Sequence, residues 1–182
     1  MIPRLSGPQR SLPSHRVPIL AALLMAGAFA MAEPPEAAPI EIPNAIAAFP
    51  GILSGGQPTE AQLEEAASLG FRTIIDLRTP GERGSIPGQA DQVRALGMAY
   101  VSIPIAGADS LTEENARHLQ EALAGPDALP AIVHCASGNR VGALFALVAF
   151  HVDGKTADEA LQIGLRTGLT RLEPAVRQKL EP

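Results

Sequence analysis

AIVHCASGNRVG, residues 131–142, decides the fold because it joins a strand pattern to a helix pattern through a short polar loop. Ala131–Val133 is apolar and partly β-branched, which is typical of a strand buried on both faces. Val141–Phe150 is apolar over a length that suits a helix. The loop between them has Cys135, the only cysteine of the chain, at one end and Arg140 at the other.

The loop has the composition of an anion-binding site. Small residues before a helix N-terminus point several backbone N–H groups into one concavity, which binds an anion and stabilises a thiolate. The fork of Arg140 suits two oxygens of a phosphate or sulfate. A cysteine after a buried strand is more often an inert small hydrophobe, but His134, Cys135, Gly138 and Arg140 together favour a thiol-bearing site. The residues expected to hold the anion are Ala136, Ser137, Gly138, Asn139 and Arg140.

The chain after residue 45 alternates between strand and helix patterns. Strands are predicted at 51–54, 73–77, 99–103 and 131–133. Helices are predicted at 59–69, 89–96, 112–124, 141–152 and 173–180, with another beginning at Thr156. Thr59 with Gln62, and Thr156 with Glu159, have capping-box spacing. The alternation predicts an α/β domain with a mainly parallel central sheet flanked by helices.

Ligands of such a sheet bind beyond the carboxyl ends of its strands, so the loops there should supply partners for Cys135. Arg78 and Glu82 follow the second predicted strand, and Asp109 follows the third. Asp109 is the candidate general acid, because a carboxyl on a loop facing the thiol can protonate a leaving group. Glu82 is the second candidate, and Arg78 is expected either to pair with Asp76 or to brace the loop. Asp109 also fits a simple turn before the helix that Thr112 caps, and both interpretations stay open.

The chain resembles the bacterial beta-lactamase-hydrolase-like phosphatases, a dual-specificity, protein-tyrosine-phosphatase-like branch of the cysteine-dependent phosphatases. The loop carries the resemblance together with SGGQPT at 54–59, LGFRTIIDLRTPGE at 69–82 and YVSIPI at 100–105. The resemblance implies a cysteine-dependent phosphatase-like fold and hydrolysis of phosphate monoesters through a phosphocysteine intermediate. It also implies that His134 orients the cysteine loop and favours the thiolate.

The mechanism implied by the resemblance assigns three roles. Cys135 attacks phosphorus, Arg140 and the loop amides stabilise the equatorial oxygens, and Asp109 protonates the leaving alcohol. The expected partner is a phosphorylated protein or small molecule, and no cofactor is implied. His118 and His151 lie in helix-like stretches without a second ligand at a suitable spacing, so no metal site is predicted.

Two departures from the phosphatase pattern leave other functions open. Only four residues separate Cys135 from Arg140, one fewer than is usual in phosphatases. That loop length also occurs in rhodanese-like sulfurtransferases, which would carry a persulfide on Cys135. Val141 stands where many phosphatases have a serine or threonine that helps the thiolate leave. Its presence keeps a non-catalytic module that binds phospho-ligands as a further alternative.

Composition excludes several function classes. The chain has 182 residues, of which 46% are hydrophobic, so it can form a core, and only 3% are aromatic. After residue 32 there are 11 basic and 19 acidic residues, a net charge of −8 with histidine neutral. Nucleic-acid binding requires a basic surface, so no nucleic-acid partner is expected.

The N-terminal segment has the pattern of an export signal. Residues 1–32 combine three arginines with an apolar run at 17–31 and a small-x-small site at Ala30-Met31-Ala32. The run is shorter than the roughly 20 residues that span a bilayer, which disfavours a retained anchor without excluding it. Translation from Met25 would remove the leader.

The sequence therefore predicts three segments: a signal peptide at 1–32, a Pro- and Ala-rich tether at 33–45 and a phosphatase-like catalytic domain at 46–182. The mature protein is expected to be periplasmic or secreted, with no stable membrane insertion after cleavage.

Overall fold

A five-stranded sheet forms the centre of the structure, a computed structural model that describes residues 40–181. The strands are β1 (Ile46–Phe49), β2 (Ile52–Gly55), β3 (Thr73–Asp76), β4 (Ala99–Ser102) and β5 (Ala131–His134). Their order is β1-β2-β5-β3-β4, and only the β1–β2 pair is antiparallel. The predicted, mainly parallel sheet is confirmed, whereas the antiparallel edge strand β1 is absent from the prediction.

Six helices connect and follow the strands in this part of the chain. They are α1 (Glu60–Ser68), α2 (Gln89–Ala95), α3 (Glu113–Leu123), α4 (Asn139–His151), α5 (Ala157–Arg166) and α6 (Glu173–Lys179). A short 3₁₀ turn lies at Ala108–Ser110. Both predicted capping boxes are confirmed, because the Thr59 and Thr156 side chains accept from the third residues of their helices and those residues bond back.

The two faces of the sheet are covered by different helices. Alternate residues of a strand point to opposite faces, and neighbouring residues of β3 and β5 accordingly enter different cores. Ile75 and Val133 pack with α3, α4, α5 and α6. Ile74 and Ile132 pack with α1 and α2. The central strands are therefore buried on both sides, which explains their continuous apolar runs.

Helix α4 is buried almost all round, and its position fixes the end of the cysteine loop. Leu144 and Leu147 are fully buried, and burial of each side chain contributes about 2–3 kcal/mol. The backbone approaches closely at Gly142, where a Cβ would lie 2.0 Å from the Leu169 amide nitrogen and 2.6 Å from the Gly164 carbonyl oxygen. No side chain fits there, so α4 is held directly against the end of α5.

The packed domain begins earlier than predicted. Ile40 and Ile42 are 3% and 5% exposed and belong to the core that α1 and α2 cover. The expected tether at 33–45 is therefore wrong in its last six residues, because two isoleucines at alternate positions bury the same face of an extended segment. The predicted signal peptide and the tether up to residue 39 lie outside the described residues. Among the described helices, none is long and apolar enough to cross a membrane.

Candidate active site

Cys135 lies at the carboxyl end of the central strand β5, directly before the loop that leads into α4. Its side chain is nearly inaccessible at 1% exposure, and its Sγ accepts a hydrogen bond from the Gly138 amide at 3.1 Å. Gly138 has a φ of +87°, a left-handed conformation that favours glycine. The loop thus turns its own N–H toward the sulfur.

Two further backbone segments adjoin the cysteine loop, the first turn of α4 and the residue that follows β2. The amides of Asn139, Arg140 and Val141 form the first turn of α4 and have no partner within the helix. On the opposite side, a Cβ on Gly56 would lie 2.9 Å from the Ala136 carbonyl oxygen, so the end of β2 backs directly onto the loop. The arrangement leaves helix N–H groups free for an anion next to the thiol.

Arg140 is held at the site by one edge of its guanidinium. Nη1 and Nη2 each donate to a Glu82 carboxylate oxygen at 2.7 Å, and Nη1 also donates to the Ile105 carbonyl oxygen at 2.9 Å. Within residues 40–181, Nε donates to no side chain or carbonyl. The pKa of Arg140 is raised, first by the bond to Glu82 and also by the nearby Cys135 sulfur. One edge is therefore fixed, and the Nε–Nη2 edge remains for an oxyanion.

Glu82 holds the Arg140 guanidinium with both carboxylate oxygens, an arrangement called the arginine clamp below, and does not serve as the general acid. Its pKa is lowered from 4.5 to about 2, mainly by the hydrogen bonds from Arg140. A carboxyl with this pKa is ionised at neutral pH and has no proton to give. The interpretation of Glu82 as the second candidate acid is therefore wrong.

Arg78 braces the loop that carries Glu82. Its guanidinium is buried and bonds Glu82 at 3.2 Å, the Gly84 carbonyl oxygen at 2.8 Å and the Arg83 carbonyl oxygen at 2.6 Å. It also donates to Gln57 Oε1 at 2.8 Å. Arg78 therefore acts on the site through Glu82 and Gln57, at the position where bracing is expected.

The Asn139 side chain does not face the anion position. Its Oδ1 accepts from the Thr170 amide at 2.8 Å, the Thr170 hydroxyl at 3.0 Å and the Leu172 amide at 3.2 Å. Asn139 is thus expected to contact a ligand through its backbone N–H and not through Oδ1. The side chain ties the first turn of α4 to the loop before α6.

His134 is completely buried behind the cysteine. Its Nε2 lies 2.9 Å from Gln89 Nε2, while Nδ1 has no hydrogen-bond partner among the described residues. Burial lowers the pKa of His134, and Asp76 and the Cys135 backbone oppose this effect. A neutral, buried ring is placed to orient the loop and not to exchange protons with a substrate.

Asp109 lies in the 3₁₀ turn of the loop after β4 and is exposed. The same loop contacts Arg140 through the Ile105 carbonyl oxygen, and its turn is closed by the Ser110 hydroxyl, which accepts from the Ala106 amide at 3.2 Å. In the described part of the chain, no hydrogen bond or ion pair holds the Asp109 carboxylate. It is therefore an unengaged acid on the loop that borders Arg140.

Val141 is fully buried in the core that α4 shares with the sheet, a core to which Cys135 also belongs. Its lack of a hydroxyl is explained by packing. The hydroxyl nearest the cysteine in sequence is that of Ser137, whose carbonyl oxygen accepts from the Asn44 side chain at 3.2 Å.

Two contributors to the site, Asn44 and Gln89, are missing from the sequence prediction, whereas Gln57 is predicted only as a residue of the loop after the first strand, where partners for Cys135 are expected. Asn44 lies in the segment predicted as a tether, with a φ of +53°. Gln57 follows β2 at the sheet edge where ligands bind, which is the one sequence signal that points to it. Gln89 begins α2 and is 4% exposed, and no local pattern marks it.

Thiol, helix N-terminus and clamped arginine together define a site of the cysteine-dependent phosphatase class. The chain belongs to the family described as "DSP-PTPase phosphatase fused to NAD+ Kinase", whose model matches residues 47–172. The resemblance predicted from the sequence is confirmed, and so is membership in a class of phosphoric monoester hydrolases.

Relatives and solved structures agree with this assignment. A beta-lactamase hydrolase-like protein of Xylella fastidiosa is 37% identical over 113 residues, 60% of this chain and 26% of that protein. The chain thus spans about a quarter of the length of this curated relative. The match to TpbA of P. aeruginosa, solved in complex with pTyr, covers 82% of this chain and 89% of the TpbA chain, with 16% identity and a TM-score of 0.58. The match to the catalytic core of the PP-IP phosphatase SIW14 of S. cerevisiae covers 81% of this chain and 87% of the SIW14 chain, with 17% identity and a TM-score of 0.53. These two structures show the shared fold.

Proposed function

We propose that this domain hydrolyses phosphate monoesters through a phosphocysteine at Cys135. The observation that carries the proposal is the Gly138 N–H directed at the sulfur, at the mouth of α4 and beside the clamped Arg140. This combination supplies a sulfur nucleophile, helix amides and a guanidinium edge for the oxygens of phosphorus.

In the first step, the Cys135 thiolate forms a bond to phosphorus as the ester P–O bond breaks. The electron pair of that bond goes to the leaving oxygen, which takes the proton of Asp109. The loop amides and the Nε–Nη2 edge of Arg140 hold the equatorial oxygens while charge develops on them. Phosphocysteine, free alcohol and the Asp109 carboxylate result.

In the second step, water attacks the phosphocysteine and the S–P bond breaks. The Asp109 carboxylate takes a proton from the water, the electron pair returns to sulfur, and phosphate is released. The exposed position of Asp109 suits both roles, because the alcohol has to leave and water has to enter beside this side chain between the steps.

The substrate is proposed to be a phosphorylated protein or small molecule. The proteins of similar fold that are named for pTyr binding and for PP-IP phosphatase activity support a phosphate ester or anhydride. In this chain, the groups placed to bind phosphate are backbone amides and one arginine. Such groups recognise the phosphate that all these ligands have in common.

We propose further that the protein is exported and acts in the periplasm or outside the cell. The arginine-rich start, the apolar run at 17–31 and the Ala30-Met31-Ala32 site support cleavage after residue 32. N-terminal sequencing of protein from fractionated cells tests this. A mature start at Glu33 in the periplasmic fraction is expected, and an intact N-terminus in the cytoplasmic fraction would contradict it.

The activity is tested with the full chain and its Cys135→Ser variant under reducing conditions. One assay follows p-nitrophenyl phosphate hydrolysis, and the other follows sulfur transfer from thiosulfate to cyanide. Phosphate release that the variant lacks, with an unchanged melting temperature, is the expected result.

The same pair of assays separates the alternatives. Sulfur transfer without phosphate release would show that the four-residue spacing serves a persulfide. Phosphate or vanadate binding without either activity would show a module that binds and does not turn over.

A further inference from the structure

We propose that Arg78, Gln57 and Gln89 form a one-directional hydrogen-bond chain that fixes the ring tautomer of His134 and thereby positions the cysteine loop. Arg78 Nη1 donates to Gln57 Oε1 at 2.8 Å, and Gln57 Nε2 lies 2.8 Å from Gln89 Oε1. Gln89 Nε2 then lies 2.9 Å from His134 Nε2. The effect on catalysis rests on the proposed function, whereas the tautomer itself does not.

The direction of the chain is set by Arg78, because a guanidinium has donors and no acceptor. Gln57 must therefore present its oxygen to Arg78 and its amide group to Gln89. Gln89 must in turn present its oxygen to Gln57 and its amide group to the ring. Reversing either glutamine would bring two donors face to face.

The last hydrogen bond of this series, from Gln89 to His134, determines which ring nitrogen of His134 carries the proton. Because Gln89 donates to Nε2, this nitrogen carries the lone pair and the ring proton is on Nδ1. Asp76 Oδ1 is 3.8 Å from Nε2, too far for a hydrogen bond. Its carboxylate instead accepts from the Arg78 amide at 2.8 Å and the Tyr100 hydroxyl at 2.9 Å.

The proton on Nδ1 connects this hydrogen-bond chain to the cysteine loop. Nδ1 is fully buried without a partner among residues 40–181, and the Cys135 backbone beside it favours a proton on the ring. An Nδ1–H attracts that backbone, whereas a bare Nδ1 would repel a carbonyl oxygen. The other charged groups that act on the ring are Asp76, Arg78 and Arg140. Gln57 and Gln89 are thus positioning residues for Cys135.

The experiment compares the wild type with Gln89→Glu, Gln89→Leu and Gln57→Leu, and uses Gln92→Glu and Gln92→Leu as controls. Gln92 lies on the same helix α2 and is half-buried, with no side-chain hydrogen bond among the described residues. Long-range ¹H–¹⁵N correlation spectra report the His134 tautomer. The rate of Cys135 alkylation by iodoacetamide at pH 6 reports the thiolate.

The wild type and both Gln92 variants are expected to show the Nδ1–H tautomer and equal alkylation rates. Gln89→Glu replaces a donor by a charged acceptor of the same shape, so Nε2 takes up a proton, as the Nε2–H tautomer or as the imidazolium, and loses its lone pair. The uncharged variants Gln89→Leu and Gln57→Leu remove the directional bond, so both neutral tautomers appear and Cys135 is alkylated more slowly than in the wild type.

An Nε2–H tautomer in the wild type, an unprotonated Nε2 in folded Gln89→Glu, or wild-type alkylation rates in both folded Leu variants would overturn the proposal. Neither readout requires turnover. A wild type that shows the expected tautomer but releases no phosphate would therefore contradict the proposed function alone.

Discussion

Replacing Glu82 by glutamine tests the arginine clamp most quantitatively. Glutamine keeps the shape of the side chain, but it removes the charge that faces Arg140 and accepts with only one oxygen. The folded pKa of about 2 against the ordinary 4.5 corresponds to about 3 kcal/mol of stability at pH 7, at about 1.4 kcal/mol for each pKa unit. Since the side chain is 24% exposed, solvent screening makes this an upper value, and about 1–3 kcal/mol is expected.

The sign of the pH dependence follows from the lowered pKa. The carboxylate stabilises the folded state fully above the unfolded pKa of 4.5, and this stabilisation is lost as the pH falls toward the folded pKa of about 2. Linkage predicts that the wild type loses about 1 kcal/mol of this contribution between pH 7 and pH 4, and about 2 kcal/mol by pH 3. Glu82→Gln has no such group, so the stability difference between the two proteins should shrink over this range.

Urea unfolding of both proteins at pH 7, 5 and 4 measures the difference, with Glu173→Gln as the matched control. Glu173 pairs with Arg177 at 2.7 Å on the exposed surface of α6, where an ion pair contributes little. A constant difference between wild type and Glu82→Gln at all three pH values would refute the reasoning. So would an equal loss in the Glu173→Gln control.

Three further substitutions test other parts of the site. Asp109→Asn should lower kcat about 100-fold on an alkyl phosphate but far less on p-nitrophenyl phosphate, whose leaving group needs little protonation; equal losses on both would contradict a general acid. Arg140→Lys should raise the vanadate inhibition constant at least about tenfold, because a lysine cannot bond Glu82 with one edge and the anion with the other. An unchanged constant would show that the second edge of the Arg140 guanidinium does not bind the anion. Gly142→Ala should lower the free energy of unfolding, measured in urea, by about 2–4 kcal/mol. Gly125→Ala is the control and should lower it much less, because a Cβ there has its nearest contact at 3.6 Å; equal losses would contradict the close approach at α4.

The parts of the fold that the sequence predicts are those with a local cause. The capping boxes at Thr59 and Thr156 involve residues three apart, and the buried strands are short apolar runs bounded by polar loops. The cysteine loop is predictable for the same reason, since its nucleophile, its glycine and its arginine lie within six consecutive residues. Strand β1 is missed because it pairs only at the sheet edge and alternates half-buried with exposed residues.

The remaining parts of the site depend on distant residues. Glu82 and Arg140 are 58 positions apart, and Gln89 and His134 are 45 apart. Neither pairing leaves a trace in local composition, so Glu82 is predictable as a charged residue near the site but not as a clamp. Ile40 and Ile42 are missed for another reason, because the surrounding prolines resemble a linker although both side chains enter the core.

Rapid acid quenching of the wild type during p-nitrophenyl phosphate turnover, followed by peptide mass spectrometry, detects covalent catalysis at Cys135. One phosphoryl group is expected on the peptide that contains Cys135, formed before steady state and absent from Cys135→Ser. Phosphate release at the wild-type rate by Cys135→Ser, with no phosphorylated peptide in either protein, would contradict covalent catalysis at Cys135.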